Sequence, residues 1–333
     1  MSIRIRTLLS GAFLLASCIG VLGTMSSGPS PELCVTRTGE DGMPRITAID
    51  AQGKNLFAIP GIDSTWSFSE GLVGVKDHVS GSWGFVDSAG EWKIPPTYDS
   101  VSHFSEGLAP VKTGDKWGFI DSSGAEKLPP TFAHVGCLAA IPCGFSEGFA
   151  AVRTEAPKRK SERRCGYIDN SGQVVIPEQF SGCGMFSDGF APVMVMKKRE
   201  KLYGYIDKTG AFVIEPRFAR AGLFGDGLAA VLEGENDTDF GYIDKKGEMK
   251  LEPRFSFAHP FSDGRALACE SEKTCGIIDT SGSWLVEPNW ALTIPAGNSS
   301  LMFVYDDKHQ PSTVVDRSGA TIWTTAGGQE GGG

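Results

Sequence analysis

Eight aspartates recur in one local setting, a hydrophobic residue followed by Asp-x-x-Gly: Asp50, Asp87, Asp121, Asp169, Asp207, Asp244, Asp279 and Asp316. A carboxylate repeated beside glycine invites a catalytic reading of the aspartic-protease kind, but that chemistry uses Asp-Thr/Ser-Gly, and Asp279-Thr280-Ser281-Gly282 holds one residue too many. Turn chemistry explains all eight copies: Asp accepts from a backbone N–H two residues on, and Gly supplies the positive φ that closes a type I turn. The pairs Asp87/Gly90, Asp121/Gly124, Asp169/Gly172, Asp207/Gly210, Asp244/Gly247 and Asp279/Gly282 are therefore read as structural turns. No Gly-x-Ser-x-Gly, no His-Glu-x-x-His and no nucleophile with a His partner appears, so the expectation is a chain without catalysis or cofactor.

The cysteines offer different chemistry. Seven remain once Cys18 is set aside: Cys34, Cys137, Cys143, Cys165, Cys183, Cys269 and Cys275. Cys269 and Cys275 flank a short hairpin and are the disulfide candidate. Cys137, Cys143 and Cys183 lie just before the Phe-Ser-x-Gly segments of two successive units, where a link between units is open, but connectivity does not follow from sequence. No Cys-x-x-Cys exists and the five His are scattered, which argues against a metal cluster.

A net charge of −9 argues against general affinity for nucleic acid. Two segments run the other way. Residues 153–164 carry six cations, Lys158, Arg159, Lys160, Arg163 and Arg164 among them, against two glutamates; residues 197–201 carry Lys197, Lys198, Arg199 and Lys201 against Glu200. Both occupy the same hairpin tip of adjacent units, while the following tip, 233–239, is acidic. One reading is a pair of solvated loops that keep the surface soluble. The other is a contact site for an anionic partner: phospholipid headgroups, an acidic envelope polymer or an acidic protein patch.

What must position all these residues is a repeat. Successive turn aspartates are 37, 34, 48, 38, 37, 35 and 37 residues apart, and the long gap contains the charged insertion. Such regularity predicts eight related units, the first and last degenerate. Within a unit, Gly107-Leu-Ala-Pro-Val-Lys112 and Trp117-Gly-Phe-Ile-Asp121 read as short strands, and no stretch after residue 30 sustains helical periodicity. The chain is expected to be all-β, with the joint between the two strands a hairpin tip that absorbs insertions. Its 43 glycines and 19 prolines supply turns, and 41% hydrophobic residues suffice for a packed interior. The recurrent aromatics Phe104, Phe119, Phe132, Phe186, Tyr205 and Phe224 are expected in the core, the alternative being a row that stacks on carbohydrate.

Trp83-Gly84 and Trp117-Gly118, each preceded by Phe-Ser-Glu-Gly and followed by Phe-Val/Ile-Asp and Pro-Pro-Thr-Tyr/Phe, resemble the WG (tryptophan-glycine) β-repeat family of bacteria over roughly residues 45–325. Later units replace the Trp by Cys165, Tyr203, Phe240 and Cys275 while keeping Gly166, Gly204, Gly241 and Gly276, which marks a half-buried packing slot. The resemblance implies an architecture and no shared catalytic residues. A unit of three or four strands cannot bury its apolar face alone, so units stack, first as a β-propeller-like ring of seven or eight and alternatively as a curved β-solenoid.

The N-terminus is read apart from this fold. Arg4 and Arg6 precede an apolar run from Leu8 to Ala16, so residues 1–25 read as a secretory signal, with 26–44 a linker and first strand and 326–333 a Gly-rich tail. Leu15-Ala-Ser-Cys18 resembles a lipobox, making Cys18 a lipidation candidate; plain cleavage and an uncleaved anchor over Leu8 to Met25 are the alternatives. The expected destination is the periplasm, the envelope membrane or the exterior. Three functions follow, in this order: a scaffold binding a protein partner in the envelope, a module binding an envelope polymer or carbohydrate, and a hydrolase with a channel site.

Overall fold

A computed structural model describes residues 33–38, 44–49, 55–65, 68–136, 143–155, 164–198, 200–271, 274–290, 293–295, 301–305, 311–316 and 320–324. Within them lie 31 β-strands and no helix. The strands form eight antiparallel sheets in chain order: a three-stranded sheet over 33–60, then seven four-stranded sheets over 62–98, 100–132, 134–180, 182–218, 220–255, 257–290 and 293–324, hereafter blades 1 to 7. Each blade is a meander whose neighbours in space are neighbours in sequence. Blade 2 shows the plan: Ser100–Val101, Leu108–Thr113, Lys116–Asp121 and Glu126–Phe132. The fourth strand runs along the blade's free edge, and prolines at 95, 96, 129, 130, 177, 216, 253 and 288 sit in these strands, where they remove N–H groups that would otherwise template foreign strands.

The glycine after the Trp slot is explained by this edge strand. The ladder between third and fourth strands is irregular at the slot, with one register shift spanning Gly84 and its equivalents and a second just after the next residue. That irregularity carries the fourth strand's backbone over the glycine. A Cβ on Gly84, Gly118, Gly166 or Gly204 would lie 2.5, 2.6, 2.2 or 2.5 Å from a carbonyl oxygen of the facing strand. The slot residue varies because it meets side chains; the glycine does not because it meets backbone.

Apolar burial lies between blades. Seven clusters of buried side chains are each shared by two successive sheets, from the N-terminal sheet with blade 1 through to blade 6 with Val315 of blade 7. At each of five junctions an aromatic ring of the third strand meets the Phe that opens the next blade's Phe-Ser-x-Gly segment (Phe-Gly-Asp-Gly in blade 5): Phe85–Phe104, Phe119–Phe145, Tyr167–Phe186, Tyr205–Phe224 and Tyr242–Phe261, with ring centres 4.7 to 5.0 Å apart. Where that ring is Tyr, its hydroxyl donates to the next blade's backbone, from Tyr167 to Gly184, Tyr205 to Gly222 and Tyr242 to His259. Burial pushes the phenols of Tyr205 and Tyr242 far above their ordinary range, so they stay neutral donors.

The Phe-Ser-Glu-Gly segment forms a second line of links. Ser69, Ser105, Ser146 and Ser187 donate their hydroxyls to the carbonyls of Phe104, Phe145, Phe186 and Phe224, one blade further on. The following acid accepts from the next blade's glycine N–H: Glu70 from Gly107, Glu106 from Gly148, Glu147 from Gly189, Asp188 from Gly227 and Asp226 from Gly264. These acids hold φ near +50°, a left-handed conformation costly for a non-glycine residue, which aims each carboxylate at its neighbour.

The six described turns place Asp87, Asp121, Asp169, Asp207, Asp244 and Asp279 as N–H acceptors from the residue two positions on. Their glycines, Gly90, Gly124, Gly172, Gly210, Gly247 and Gly282, all hold φ between +82° and +85°, the conformation that the turn reading requires. The turn glycines have a second role, because each packs on the preceding sheet. A Cβ on Gly90 would come within 2.8 Å of the Phe57 ring, on Gly172 within 2.9 Å of Leu128, and on Gly210 within 2.9 Å of Ile176. The fit is looser at Gly124, 3.4 Å from Ile94, at Gly247, 3.2 Å from Ile214, and at Gly282, 3.1 Å from Leu251. Two of these turns are also held by hydrogen bonds, Arg217 donating to the Gly247 carbonyl and Arg254 to the Gly282 carbonyl, each from the blade before. The turn is thus a docking contact between blades. Both turn types leave one face of the array, and the hairpin tips between second and third strands leave the opposite face.

Candidate interaction surface

Because the repeat's recurrent polar groups are committed to joining blades, chain-specific chemistry has to be sought where a blade departs from its siblings. The turn pairs illustrate the point: Asp87/Gly90, Asp121/Gly124, Asp169/Gly172, Asp207/Gly210, Asp244/Gly247 and Asp279/Gly282 stand one in each of blades 1 to 6 and converge on no shared site. Three departures fall on blades 3 and 4.

The first concerns the residue three positions after each turn glycine: Lys93, Lys127, Val175, Val213, Lys250 and Leu285. In blades 2 and 5 the lysine folds back on the turn, Lys127 Nζ lying 3.0 Å from Asp121 Oδ2 and Lys250 Nζ 3.0 Å from Asp244 Oδ2. The Ser123 hydroxyl, and then Lys127, hold the Asp121 carboxyl well below the usual carboxylate range. Blades 3 and 4 lack that lysine. Asp169 and Asp207 are lowered chiefly by the hydroxyls of Ser171 and Thr209, and the lysine is replaced by valines 41% and 40% exposed. Their neighbours Val174 and Phe212 are exposed as well, at 52% and 36%. Buried Phe180, at the far end of the blade 3 outer strand, meets Phe212 of blade 4 edge-on at 5.9 Å, a contact that Phe255 and Trp284 repeat between blades 5 and 6. Trp92 and Leu285 are exposed too, but beside exposed Lys93 and half-buried Trp284.

The second departure is covalent. A pair 18 residues apart, slot residue and first strand of the next blade, shares each inter-blade cluster: Trp83 with Val101, Trp117 with Val135, Tyr203 with Ala221 and Phe240 with Ala258. In blades 3 and 4 the same pair is Cys165 and Cys183, joined as a disulfide. The sequence groups Cys183 with Cys137 and Cys143 as a link between units. The link exists, but its other end is Cys165, which the slot pattern marks for packing alone. Cys137 lies outside the described residues, and Cys143 is buried. Cys269 and Cys275 form a disulfide across their hairpin, with Cα atoms 3.9 Å apart at directly opposed positions.

The third departure is the hairpin tips. Arg153 and Arg164 flank the blade 3 insertion, with Arg153 Nε donating to the Arg164 carbonyl. Thr154 N–H donates to Glu178, and Lys116 of blade 2 reaches the Thr154 carbonyl at 3.4 Å, so the tips of blades 2 and 3 are neighbours. In blade 4, Lys197, Lys198, Glu200 and Lys201 are exposed. Lys158, Arg159, Lys160, Arg163, Arg199 and the lipidation candidate Cys18 lie outside the described residues.

The six recurrent aromatics expected in the core are all buried. Trp92 and Phe212, the exposed large aromatics among the described residues, stand three blades apart, which is not the clustered row that carbohydrate stacking needs. Among the described residues no group of three or more His, Cys, Asp or Glu side chains is placed to hold a metal ion, and no helix is long and apolar enough to cross a membrane.

Sequence reasoning overlooked Val174, Val175, Phe212 and Val213, although aligning the units on the turn glycine exposes the Lys-to-Val change. It also overlooked the Cys165–Cys183 pair, although the 18-residue offset was already present in Trp83/Val101.

Fold and surface together define an all-β, propeller-like array of repeats whose shared residues serve assembly. The family model for the WG-containing repeat matches residues 83–117, 166–198, 203–236 and 240–273, and the chain is a WG-repeat protein. No curated protein matches it in sequence. Among solved structures it resembles BamB from Moraxella catarrhalis, at 12% identity over 88% of this chain and 91% of that one, with a TM-score of 0.51. It is also similar to Kluyveromyces lactis Hsv2, at 10% identity over 86% of this chain and 99% of that one, with a TM-score of 0.38. At such identities the likeness to BamB speaks for the fold alone.

Proposed function

We propose that this chain is an exported, non-catalytic scaffold held at the cell envelope, and that it binds a protein partner through the outer strands of blades 3 and 4. The observation that carries the reading is a belt of exposed apolar residues, Val175 and Val213 standing where blades 2 and 5 carry an ion-paired lysine, with exposed Val174 and Phe212 beside them. Exposed apolar side chains recurring at one position of successive blades are the kind of surface that contacts other macromolecules. Export is supported by the basic and apolar pattern of residues 4–16 and by two disulfides, which persist in oxidising compartments. The scaffold role is supported by the commitment of the repeat's Ser, Glu, Asp and Tyr side chains to bonds within and between blades, which leaves variable edges and tips for recognition.

The test restores the repeat's own residue. Val175→Lys with Val213→Lys gives blades 3 and 4 the lysine of blades 2 and 5, with Asp169 and Asp207 waiting as partners. Copurification from the native envelope should then lose its specific protein partner while the melting temperature holds. A partner retained at wild-type yield would remove the belt from the binding surface.

A further inference from the structure

We propose that the two arms of the blade 4 hairpin, residues 194–198 and 200–203, form a docking element for anionic phospholipid headgroups. This goes beyond the protein-binding role and rests on the envelope-associated reading above.

Among the described ladders between second and third strands, this one reaches furthest from the slot glycine. Counting from the slot glycine, the blade 2 ladder ends two residues further out, at Thr113 paired with Lys116. The blade 4 ladder continues through Met194/Tyr203, Val195/Leu202 and Met196/Lys201 to Lys197/Glu200. Two extra residue pairs carry its tip about 7 Å further out. The ribbon is apolar at its base, where Met194, Val195, Leu202 and Tyr203 are half-buried, and cationic at its end, where Lys197, Lys198 and Lys201 are exposed. Between these zones stands Met196, 48% exposed. Lys198 holds φ +50°, a turn position that Asn or Gly adopts at lower cost, so turn geometry does not account for a cation there.

A protruding ribbon with cations at the end and a thioether behind them fits the boundary of an anionic bilayer. Ammonium groups pair with phosphates while Met196 reaches the apolar edge of the headgroup layer. The rest of the chain enforces orientation. A net charge of −9 opposes close approach elsewhere, and the adjacent blade 5 tip carries Glu233, Glu235, Asp237 and Asp239 on the same face. The array should therefore meet the bilayer tilted, blades 3 and 4 first. An acidic protein segment would also satisfy the lysines, but it gives no role to Met196 at the end of an extended ribbon. Val175 and Val213 follow turns on the opposite face, so they stay accessible to a protein partner while the hairpin is engaged.

Hydrogen exchange of the full chain, read at the amides of Lys197, Lys198, Glu200 and Lys201, tests this with vesicles of phosphatidylcholine alone and with a quarter phosphatidylglycerol. Slowing of at least about tenfold on the anionic vesicles, absent on the zwitterionic ones, is the expected result. It should vanish near 1 M salt, where the screening length is about 3 Å. Each lysine near an anionic surface strengthens binding roughly fivefold, so Lys197→Gln/Lys198→Gln/Lys201→Gln should weaken vesicle affinity roughly 100-fold. Met196→Ser should weaken it less. Equal slowing on both vesicle types, none on anionic vesicles, or slowing that survives in the triple variant would overturn the proposal. So would slowing that appears only when the protein partner is added, which would assign the hairpin to the protein interface. The Val175→Lys/Val213→Lys variant should keep the lipid response, so loss of the partner and loss of lipid contact are read separately.

Discussion

Blades 2 and 4 are the same construction put to different ends. Both use a serine to hold the next blade's carbonyl, an acid to hold its glycine N–H, an aromatic ring to meet its phenylalanine, and a glycine beneath the edge strand. Blade 2 then neutralises its turn aspartate with Lys127, ends its hairpin two residues past the slot, and fills the junction ahead of it with Trp117. Blade 4 leaves Val213 exposed, extends its hairpin with lysines, and is tied to blade 3 by a disulfide in the slot. The shared parts make a blade; the parts that differ make a surface. Function in a repeat protein is therefore read from the unit that breaks its own pattern.

The strongest way to break the comparison is to attack a part that both blades share. Gly204→Ala drives a Cβ to within 2.5 Å of the Ile214 carbonyl, and Gly118→Ala does the same at Leu128. Both should cost about 4 kcal/mol or more in thermal or urea unfolding, because the obstacle is backbone. A loss under about 1 kcal/mol at either site would deny that the glycine fixes the edge strand.

The slot comes next. Cys165→Ser with Cys183→Ser should cost about 3 kcal/mol, the value for a crosslink closing a loop of this length. Cys165→Trp with Cys183→Val, which copies Trp117 and Val135, should recover most of that loss by calorimetry. Failure of the Trp/Val pair to do better than Ser/Ser would mean that the two junctions are not equivalent.

Acid sharpens the contrast from the other side. His103 in blade 2 and His259 in blade 6 are buried without a partner for Nε2, and burial pushes their pKa down to about 4. The unfolded chain binds these protons near pH 6.5, so stability is full above about 6.5 and falls as pH drops toward 4, by up to about 3 kcal/mol per histidine. Exchange measured across that range should loosen blades 2 and 6 before blades 3 and 4. His103→Leu and His259→Leu should flatten the slope; an unchanged slope would place the acid sensitivity elsewhere.

The smallest effect is in the serine links. Ser146→Ala at the junction of blades 3 and 4 should cost about 1 to 2 kcal/mol, because the Phe186 carbonyl loses its buried donor. Ser105→Ala should cost a similar amount where no disulfide helps, and the two losses measured side by side report how much the crosslink shares the load.

Much of this was legible in the sequence. The turn aspartates fixed the period, and the short runs bounded by Gly and Asp gave the strand class, since turn chemistry and period-two burial are local properties. The second role of the turn glycines was not legible, because Gly90 meets Phe57 and Gly247 meets Ile214 only once the preceding sheet is in place. The inter-blade bonds were hidden in the same way: Ser105 and Phe145 meet only after two blades have stacked, and nothing near Ser105 announces a partner 40 residues away. For the Cys165–Cys183 link, the slot was read one unit at a time, while its partner belongs to the next. The apolar belt was missed because single exposed valines are ordinary, and only the lysines at the same position of blades 2 and 5 make Val175 and Val213 informative.

The central claim is that blades 3 and 4, and not the repeat at large, carry the partner site. A photocrosslinking residue placed in turn at positions 127, 175, 213 and 250 of the full chain in its native envelope tests it most directly. One discrete protein adduct from positions 175 and 213, with none from 127 and 250, is the predicted pattern. Adducts of equal yield from all four positions, or from 127 and 250 alone, would contradict it.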